Sequence, residues 1–198
     1  MTRGNINKPT TKIVGGKYKG KVLALPSLDI TRSSKSILKE SFFNVLQFDI
    51  IDTIFIEVFG GSGSIGLEAL SRGSSSVCFC EIDRKSYRIL QENCKVVEPE
   101  KCTTLFGDSF EKFPPLLQSL VNKKEDIIVY IDPPFDFRDG MEDIYDKTYN
   151  LVRDIENDNV VLVTFEHMTG LDLPDTLGKF KKFKTKKFGK SSLTYYNV

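Results

Sequence analysis

The most chemically informative residues in this chain are four consecutive ones, Asp132-Pro133-Pro134-Phe135, which follow the apolar run Ile127–Ile131. The β-branched run predicts a buried parallel strand, and two adjacent prolines end it because proline donates no backbone hydrogen bond. A stiff turn at the carboxyl end of a strand lies where open α/β sheets bind ligands. A carboxylate, a carbonyl and an aromatic ring suit a planar substrate with an amino group, so the motif predicts a nucleobase site. An ordinary surface turn is the alternative.

A second candidate site follows the first predicted strand of the sheet, in the glycine-rich segment from Glu57 to Gly66. Glycines allow a tight turn and a close approach to a ligand, and the start of the next helix offers backbone N–H groups. This pattern predicts a cofactor-binding loop. The spacing Gly61-x-Gly63-x-x-Gly66, with Glu81 twenty residues on, also fits the dinucleotide fingerprint, so a nicotinamide-dependent oxidoreductase is an alternative.

Two further carboxylates follow the second and third predicted strands of the sheet. Glu81 ends the second strand, where a carboxylate suits both hydroxyls of a ribose, and Asp108 follows the third, where it suits an adenine amino group. Asp83 is expected to cap the next helix, and a capping role for Asp108 is an equally good interpretation. Acidic or glycine-rich segments therefore follow four successive strands, and dinucleotide enzymes do not need the last of them, at Asp132.

From residue 54 onward, short apolar runs alternate with amphipathic segments, which predicts repeated β-α units and a mainly parallel sheet with helices on both faces. The predicted strands are Ile54–Val58, Ser76–Cys80, Cys102–Phe106, Ile127–Ile131 and Val160–Phe165. The predicted helices lie at about 64–72, 84–96, 110–121 and 141–156. Lysines and aromatic residues alternate around Lys179–Phe188 and Ser191–Val198, which predicts a closing antiparallel hairpin.

Two smaller pieces precede the sheet and are expected to form an extension without a core of its own. Ile13–Leu25 contains three glycines and alternates loosely, which predicts a small β-hairpin, and Ser36–Leu46 has its apolar residues at helical spacing. We therefore expect residues 1–50 to form an N-terminal extension and residues 51–198 to form the α/β domain.

Composition narrows the class of protein. A chain of 198 residues with 40% hydrophobic content is long enough for one well-packed domain. No apolar stretch approaches the roughly 20 residues that span a bilayer, and residues 1–5 lack the apolar core of a signal peptide, so we expect a cytoplasmic protein. The four cysteines lack zinc-site spacing, which predicts reduced thiols and no metal. The single histidine, His167, gives nucleophilic hydrolysis little basis.

The formal net charge of +1 hides a strong segregation of charge along the chain. Residues 1–44 carry a net charge of +7, residues 179–198 carry another +7, and the segment between them carries −13. Basic ends with interleaved aromatic residues, as in Lys17-Tyr18-Lys19, suit the phosphates of a nucleic acid. A solubilising lysine surface on edge strands is the alternative.

Together these motifs resemble the class I S-adenosylmethionine-dependent methyltransferases with an (Asn/Asp/Ser)-Pro-Pro-(Tyr/Phe) motif, which methylate exocyclic amines of bases. From about residue 12 to the C-terminus, the chain is also similar to the bacterial 16S rRNA guanine-N2-methyltransferases of the RsmD type. The segments that carry this second resemblance are Ile13–Gly20, Thr31-Arg32 leading to Glu40–Asn44, Gly66–Gly73 and Phe188–Leu193.

The chain departs from that family at two places. Glu57 and Gly60 stand where the family usually has Asp and Ala, and Ser33–Ser36 stand where it usually has Pro-Thr-Thr-Asp. The longer side chain of Glu57 is expected to loosen contact with the methionine end of the cofactor.

The resemblance implies a Rossmann-like fold with a mainly parallel seven-stranded sheet and a monomeric enzyme. It implies methyl transfer from S-adenosylmethionine to the N2 amine of one guanine in 16S rRNA, free or in the small ribosomal subunit. The acceptor-site residues that it implies are Asp132, Pro133, Pro134 and Phe135. The cofactor-binding residues that it implies are Glu57, Phe59, Gly61, Ser62, Gly63, Glu81, Ile82, Asp108, Ser109, Thr31 and Arg32. Together with the basic N-terminus, it implies RNA contacts by Lys17, Lys19, Lys21 and Arg32.

Two other functions fit the same residues. An adenine-N6-methyltransferase acting on DNA or RNA shares the motif and the cofactor. A non-catalytic RNA-binding or assembly protein would keep the fold with a pocket weakened by Glu57. The nicotinamide enzyme is less favoured, because no residue supplies a catalytic acid near a nicotinamide.

Overall fold

The computed structural model describes residues 9–26, 32–134 and 143–198, and the side chains of all of these except 32–35. Among the described residues there are ten strands: β1 Thr10–Lys12, β2 Val22–Ala24, β3 Ile54–Glu57, β4 Ser76–Glu81, β5 Cys102–Phe106, β6 Ile127–Ile131, β7 Val160–Met168, β8 Thr176–Leu177, β9 Phe180–Phe188 and β10 Ser191–Asn197. The α-helices of the same residues are α1 Arg32–Val45, α2 Ser64–Ser71, α3 Arg84–Val97, α4 Ser109–Ser119 and α5 Ile144–Arg153.

The main sheet has the strand order β5-β4-β3-β6-β7-β10-β9-β8. Strands β3 to β7 pair in parallel, and β10, β9 and β8 add antiparallel strands at one side. The expected seven-stranded arrangement is thus present, and the two-residue strand β8 lengthens it by an edge strand. The order of strands reverses between β3 and β6, and open α/β sheets bind ligands at such a reversal.

The strands form where the sequence has continuous apolar runs, because a strand covered on both faces needs apolar side chains on both. All residues of β3 and β6 are buried, with Ile56 opposite Val129 in the parallel register. One face of the sheet packs against α1, α2 and α3, and the other packs against α4 and α5. On the first face, the Phe42 ring of α1 lies 5.0 Å from the Tyr130 ring of β6, in edge-to-face geometry.

Strand β7 runs three residues farther than its apolar pattern predicts. The sequence indicates an end at Phe165, whereas the strand continues to Met168 because β10 pairs with it as far as the Ser191–Met168 pair. The pairing partner lies 23 residues away in sequence, so local periodicity could not reveal it. The extension brings Glu166 and His167 into the sheet as buried residues.

The N-terminal extension is joined to the main domain by a buried charge cluster. The Glu68 carboxylate of α2 is fully buried and accepts hydrogen bonds from the backbone N–H groups of Val14 and Gly15, each at 2.8 Å. It also contacts the Lys39 ammonium of α1 at 3.1 Å and the Arg72 guanidinium at 2.9 Å. One carboxylate therefore holds together the loop after β1, helix α1 and helix α2.

A close backbone approach supports this join. Gly16 has φ of +77°, and a Cβ atom there would lie 1.8 Å from the carbonyl oxygen of Ser71. In the same turn, the backbone N–H of Lys17 donates to that carbonyl at 2.7 Å. Only glycine fits at position 16, because any side chain would push the turn off the end of α2.

Other sequence expectations concern the thiols and the membrane. All four cysteines are present as free thiols, and burial raises the pKa of Cys78 to about 11. No cluster of potential metal ligands occurs in the described part of the chain. Among the helices of residues 9–26, 32–134 and 143–198, none is long and apolar enough to cross a membrane.

We expect Glu68→Ala to lower the free energy of unfolding by about 3–5 kcal/mol, because it removes the carboxylate that pairs with the buried Lys39 ammonium and leaves that charge uncompensated. The measurement is denaturation in urea, followed by circular dichroism. Glu92→Ala is the matched control, since Glu92 pairs with Lys95 at 2.8 Å on the exposed face of α3 and such pairs contribute about 0–1 kcal/mol. Equal losses in the two variants would contradict a special role for Glu68.

Candidate active site

A cavity of about 970 Å³ lies at the carboxyl ends of β3, β4, β5, β6 and β7. Ten of the residues expected from the sequence line it: Glu57, Phe59, Gly61, Ser62, Glu81, Ile82, Asp108, Ser109, Asp132 and Pro134. The glycine-rich loop, the two strand-end carboxylates and the Asp-Pro-Pro turn therefore face one space. The volume is within the range of cofactor and substrate pockets.

Five expected residues do not line the cavity or cannot be placed in it. Gly63 and Pro133 are both buried beside it without lining it. Thr31 and Phe135 lie outside the described residues, and of Arg32 only the backbone, at the start of α1, is described.

The glycine-rich loop has the backbone shape that its sequence predicts. Gly61 and Gly63 have φ of +52° and +75°, a region that other L-residues adopt at a cost. A Cβ atom on Gly63 would lie 2.5 Å from Leu90, and one on Gly66 would lie 2.4 Å from Phe79. The glycines thus let the loop turn tightly and let α2 begin close against β4 and α3.

Glu57 reaches across the loop to the first turn of α2. Its buried carboxylate accepts a hydrogen bond from the backbone N–H of Gly66 at 2.8 Å. The N–H groups of a first helical turn lack intrahelical partners, so this bond satisfies one of them. The longer side chain at this position is therefore used to reach the helix, while the residue still lines the cavity.

Glu81 is held by two backbone donors, one in the glycine-rich loop and one at the start of α3. Its carboxylate accepts from the N–H of Gly61 and from the N–H of Asp83, both at 2.6 Å. Burial raises the pKa of Glu81 above its ordinary value, and these backbone hydrogen bonds oppose the rise. A carboxylate fixed in this way is a preorganised acceptor for hydroxyl groups such as those of a ribose.

Both capping roles considered from the sequence are confirmed. Asp83 accepts from the N–H of Ser86 at 2.7 Å at the start of α3, and Asp108 accepts from the N–H of Phe110 at 2.9 Å at the start of α4. Asp108 lines the cavity as well, so capping and ligand contact do not exclude each other there. The neighbouring Ser109 hydroxyl donates to the Val58 carbonyl at 2.5 Å and ties α4 to the loop after β3.

The cavity also has lining residues that the sequence motifs did not reveal. Lys39 of α1 and Glu166 of β7 are buried at its wall, and α5 with the residue that follows it contributes Lys147, Asn150 and Asp154. The sequence pattern does not indicate Glu166, because it predicts that β7 ends one residue earlier. The α5 residues carry no motif, and only the packing of α5 beside α4 brings them to the site.

The two basic segments lie at different edges of the sheet. The backbone of Lys17 bonds to the last residue of α2, and the Lys21 ammonium bonds to the Val96 carbonyl near the end of α3. Since both helices begin at the cavity edge, Lys17, Lys19 and Lys21 lie at the opposite edge, and none of the three lines the cavity. The turn between β9 and β10 lies at the cavity edge, because Ser191 pairs with Met168.

Not all lysines of the C-terminal hairpin are available for a partner. Lys182 pairs with Asp175 at 2.8 Å and Lys179 pairs with Asp158 at 3.1 Å, and Lys186 donates to the Ser41 hydroxyl at 3.2 Å. Lys184, Lys187 and Lys190 are exposed. The C-terminal hairpin, whose β9–β10 turn lies at the cavity edge, therefore has fewer unpaired, exposed lysines than the seven in residues 179–198 would suggest.

The fold and the site define a class I, Rossmann-like methyltransferase that uses S-adenosylmethionine. The family model described as "Conserved hypothetical protein 95" matches residues 11–197, so the chain belongs to this family, which is the RsmD-like methyltransferases. This membership excludes the nicotinamide-dependent oxidoreductase.

Individual relatives agree with the family. The chain is 29% identical over 164 residues to "Ribosomal RNA small subunit methyltransferase D" of Escherichia coli K12, covering 81% of this chain and 77% of that protein. It is 24% identical to "Putative rRNA methyltransferase YlbH" of Bacillus subtilis, covering 93% and 97%. Among solved structures, a putative methyltransferase from E. coli is 27% identical with a TM-score of 0.73, covering 96% of this chain and 98% of that one.

The raised pKa of Glu81 predicts a particular pH dependence of stability. The folded protein binds this proton more tightly than the unfolded chain, so the contribution is present below the ordinary pKa of 4.5 and is lost as pH rises through the raised value. We therefore expect the stability of the wild type relative to Glu81→Gln to fall as pH rises from about 4 toward neutrality.

Urea denaturation of both proteins at several pH values measures this trend. Asp83→Asn is the control with the opposite sign, because the Ser86 N–H lowers the pKa of Asp83 from 3.8. That contribution is present above 3.8 and is lost as pH falls. The interpretation of Glu81 is wrong if both variants show the same slope.

Proposed function

We propose that this protein transfers a methyl group from S-adenosylmethionine to the exocyclic N2 amine of one guanine in 16S rRNA. The observation that carries the proposal is that the Asp-Pro-Pro turn after β6 and the glycine-rich loop after β3 line the same cavity. One space thus has an acceptor-base side and a cofactor side. The names of the curated relatives, which refer to the small-subunit ribosomal RNA, support the choice of substrate.

The residues at the cofactor side fit S-adenosylmethionine. Glu57, Glu81 and Asp108 are carboxylates at three neighbouring strand ends, and they attract a cationic sulfonium compound with a ribose and an amino group. Gly61 lines the cavity, and no atom of a residue beyond its chain neighbours lies within 4 Å of the position that its Cβ atom would take, so the loop leaves open space there. The residues that we propose to hold the cofactor are Glu57, Phe59, Gly61, Ser62, Gly63, Glu81, Ile82, Asp108, Ser109, Thr31 and Arg32.

At the acceptor side, Asp132 and the Pro133 carbonyl are proposed to accept the two hydrogens of the guanine amine. The lone pair of this nitrogen is delocalised into the ring, so holding both hydrogens pulls the nitrogen toward the tetrahedral geometry that attack requires. The sulfonium of the cofactor supplies an already activated methyl group, so no metal is needed. Orientation of the amine by Asp132 and Pro133 contributes up to about 7–11 kcal/mol. Pro134 stiffens the turn, and stacking of Phe135 on the base is worth roughly 1–3 kcal/mol.

The remaining parts of the proposal concern the partner and the domains. We propose that residues 1–50 are an extension that contacts RNA and cofactor, and that residues 51–198 are the catalytic domain. Thr11, Leu25 and Pro26 of the extension line the cavity, as do Ser36 and Lys39 of α1, which supports this division. Lys17, Lys19, Lys21 and Arg32 are proposed to contact RNA phosphates. The protein is proposed to act as a cytoplasmic monomer on 16S rRNA or on the small subunit.

Mapping of the methyl group tests the proposed function directly. Mass analysis of 16S rRNA from cells that lack the protein is expected to show one guanine without its N2 methyl group, and the purified protein is expected to restore it from labelled S-adenosylmethionine. Labelled N6-methyladenosine would instead support the adenine enzyme. Absence of any cofactor binding at millimolar concentration would support the non-catalytic protein.

Asp132→Ala is expected to lower the rate of methyl transfer by at least about 100-fold while leaving cofactor affinity nearly unchanged, since an oriented polar group at the reacting centre is lost. Single-turnover transfer to rRNA and calorimetry with S-adenosylmethionine measure the two effects. The matched control is Asp146→Ala, which removes an exposed carboxylate of α5 that does not line the cavity. Undiminished turnover in Asp132→Ala would rule out the role of Asp132.

Lys19→Gln and Lys190→Gln test which basic segment meets RNA. A lysine that contacts a phosphate releases a counterion, so its loss should reduce the slope of log affinity against log salt concentration by about 1. Filter binding of rRNA at several salt concentrations gives the slope. Lys95→Gln is the control, because Lys95 is paired with Glu92 on α3. A lysine whose loss leaves the slope at the control value makes no phosphate contact.

A further inference from the structure

Glu166 lies on the acceptor side of the cavity, beside the Asp-Pro-Pro turn. It is 1% exposed and lines the cavity together with Asp132. The parallel pairing of β6 and β7 places Tyr130 opposite Thr164 and Ile131 opposite Phe165, so Asp132 and Glu166 are the next residues along the two strands. Adjacent strands lie about 4.8 Å apart, and residues at alternate positions share a face. Glu166 therefore shares the face of β7 that carries Thr164, and Asp132 follows β6 beside it.

A second observation agrees with this placement. Tyr145 of α5 has its pKa raised to about 12, mainly by burial, and the charges of Asp132 and Glu166 add to the rise. Both carboxylates thus lie within electrostatic range of one hydroxyl group. Binding of the amine requires only one of these two acidic side chains, so it does not account for the other.

The orientation of Glu166 is set by a buried hydroxyl group. The Tyr130 hydroxyl donates to Glu166 Oε2 at 2.6 Å, and the Tyr130 ring is fixed against Phe42 and Phe55. Burial raises the pKa of Tyr130 well above its usual range, and the Glu166 charge adds to this, so Tyr130 remains a donor. A carboxylate has two oxygen atoms that accept hydrogen bonds. Glu166 is consequently a preoriented acceptor.

Guanine and adenine differ in the ring nitrogen that lies next to the amine and that such an acceptor would contact. In guanine, the N1–H donor lies next to the N2 amine, so its edge presents adjacent donors. In adenine, the ring nitrogen next to the N6 amine is an acceptor, which a carboxylate repels. Two neighbouring carboxylates therefore complement guanine and reject adenine, provided that each meets one of the adjacent groups.

We propose that Glu166 is the residue that selects guanine, accepting a hydrogen bond from N1–H while Asp132 accepts one from the N2 amine. This inference rests on the proposed function, because it assumes that the methylated group is the N2 amine. Recognition of guanine then depends on a residue of β7, and activation of the amine depends on the turn after β6. The choice between guanine and adenine, which the Asp-Pro-Pro-Phe motif leaves open, then depends on a side chain outside the motif.

The test compares guanine with 2-aminopurine, which keeps the amine at C2 but lacks O6 and has an acceptor in place of N1–H. The probes are two ligated 16S rRNAs that differ only at the mapped nucleotide, which carries guanine in one and 2-aminopurine in the other. Both are supplied as free RNA, or both in the small subunit, according to which of these the wild type methylates. Transfer from labelled S-adenosylmethionine gives kcat/KM for each. We expect the wild type to prefer guanine by at least about 100-fold, because a site built to bind a donor rejects an analogue without it. Glu166→Gln, whose amide can donate to the acceptor of 2-aminopurine, should reduce that preference at least about tenfold.

Two further variants separate recognition from structure. Thr164→Val is the matched control, two residues earlier on the same face of β7, and it should leave the preference unchanged. Tyr130→Phe removes the hydroxyl that orients Glu166 while keeping the core ring, so it should reduce the preference by less than Glu166→Gln does. If Glu166→Gln does not fold, the smaller reduction expected of Tyr130→Phe carries the test, because the wild-type preference also contains the effect of the missing O6.

The possible failures are distinguishable. Equal activity of the wild type on both RNAs, or a Glu166→Gln variant that is slower on both with an unchanged preference, overturns the role of Glu166 and leaves the proposed function intact. A methyl group mapped to an adenine N6 overturns the proposed function before any variant is made, and this inference with it.

Discussion

The buried carboxylate of Glu68 is the interaction on which the shape of the site depends. A charge inside a protein is costly unless it is paired and hydrogen-bonded, and Glu68 of α2 meets this condition only when two other pieces of the chain come to it. The loop after β1 brings two backbone N–H groups, and α1 brings Lys39. The β1–β2 segment that contains this loop contributes Thr11 and Leu25 to the cavity wall, and α1 contributes Ser36. Electrostatic satisfaction of one side chain thus completes a cavity that the central sheet alone would leave open.

The cavity is arranged around carboxylates held by different donors. Glu57 is bonded to the N–H of Gly66, Glu81 to two backbone N–H groups, and Glu166 to the Tyr130 hydroxyl. Each of these acceptors is oriented before a ligand arrives, and preorganised polar groups in a largely buried site interact more strongly than mobile ones. Because the strands are parallel, the residues that follow them collect at one edge. The sheet therefore concentrates negative charge where a sulfonium compound and a base with adjacent donors would meet.

Much of this arrangement could be predicted from local sequence, for identifiable reasons. The bounds of β6 agree with its apolar run, because a strand buried on both faces has a pattern that needs no partner to recognise it. The glycines at 61 and 63 were expected to permit an unusual backbone, and both have positive φ. Asp83 and Asp108 were assigned possible capping roles from their positions before helices, and both cap them. In each case the physical cause lies within a few residues of the observed feature.

Features that depend on contacts between residues far apart in the sequence are not predicted by such local patterns. The end of β7 is decided by β10, so Glu166 was not recognised as a wall of the cavity. The charge pattern predicts RNA contacts by the lysines at 17, 19 and 21 but not where in the fold they lie, and the turn that carries them packs at the far ends of α2 and α3. Local patterns of apolar and turn-forming residues thus specified the strands, the loops and the acidic residues that follow them. Strand pairing and burial of charge, which join residues far apart in the chain, decided which of those residues share one cavity.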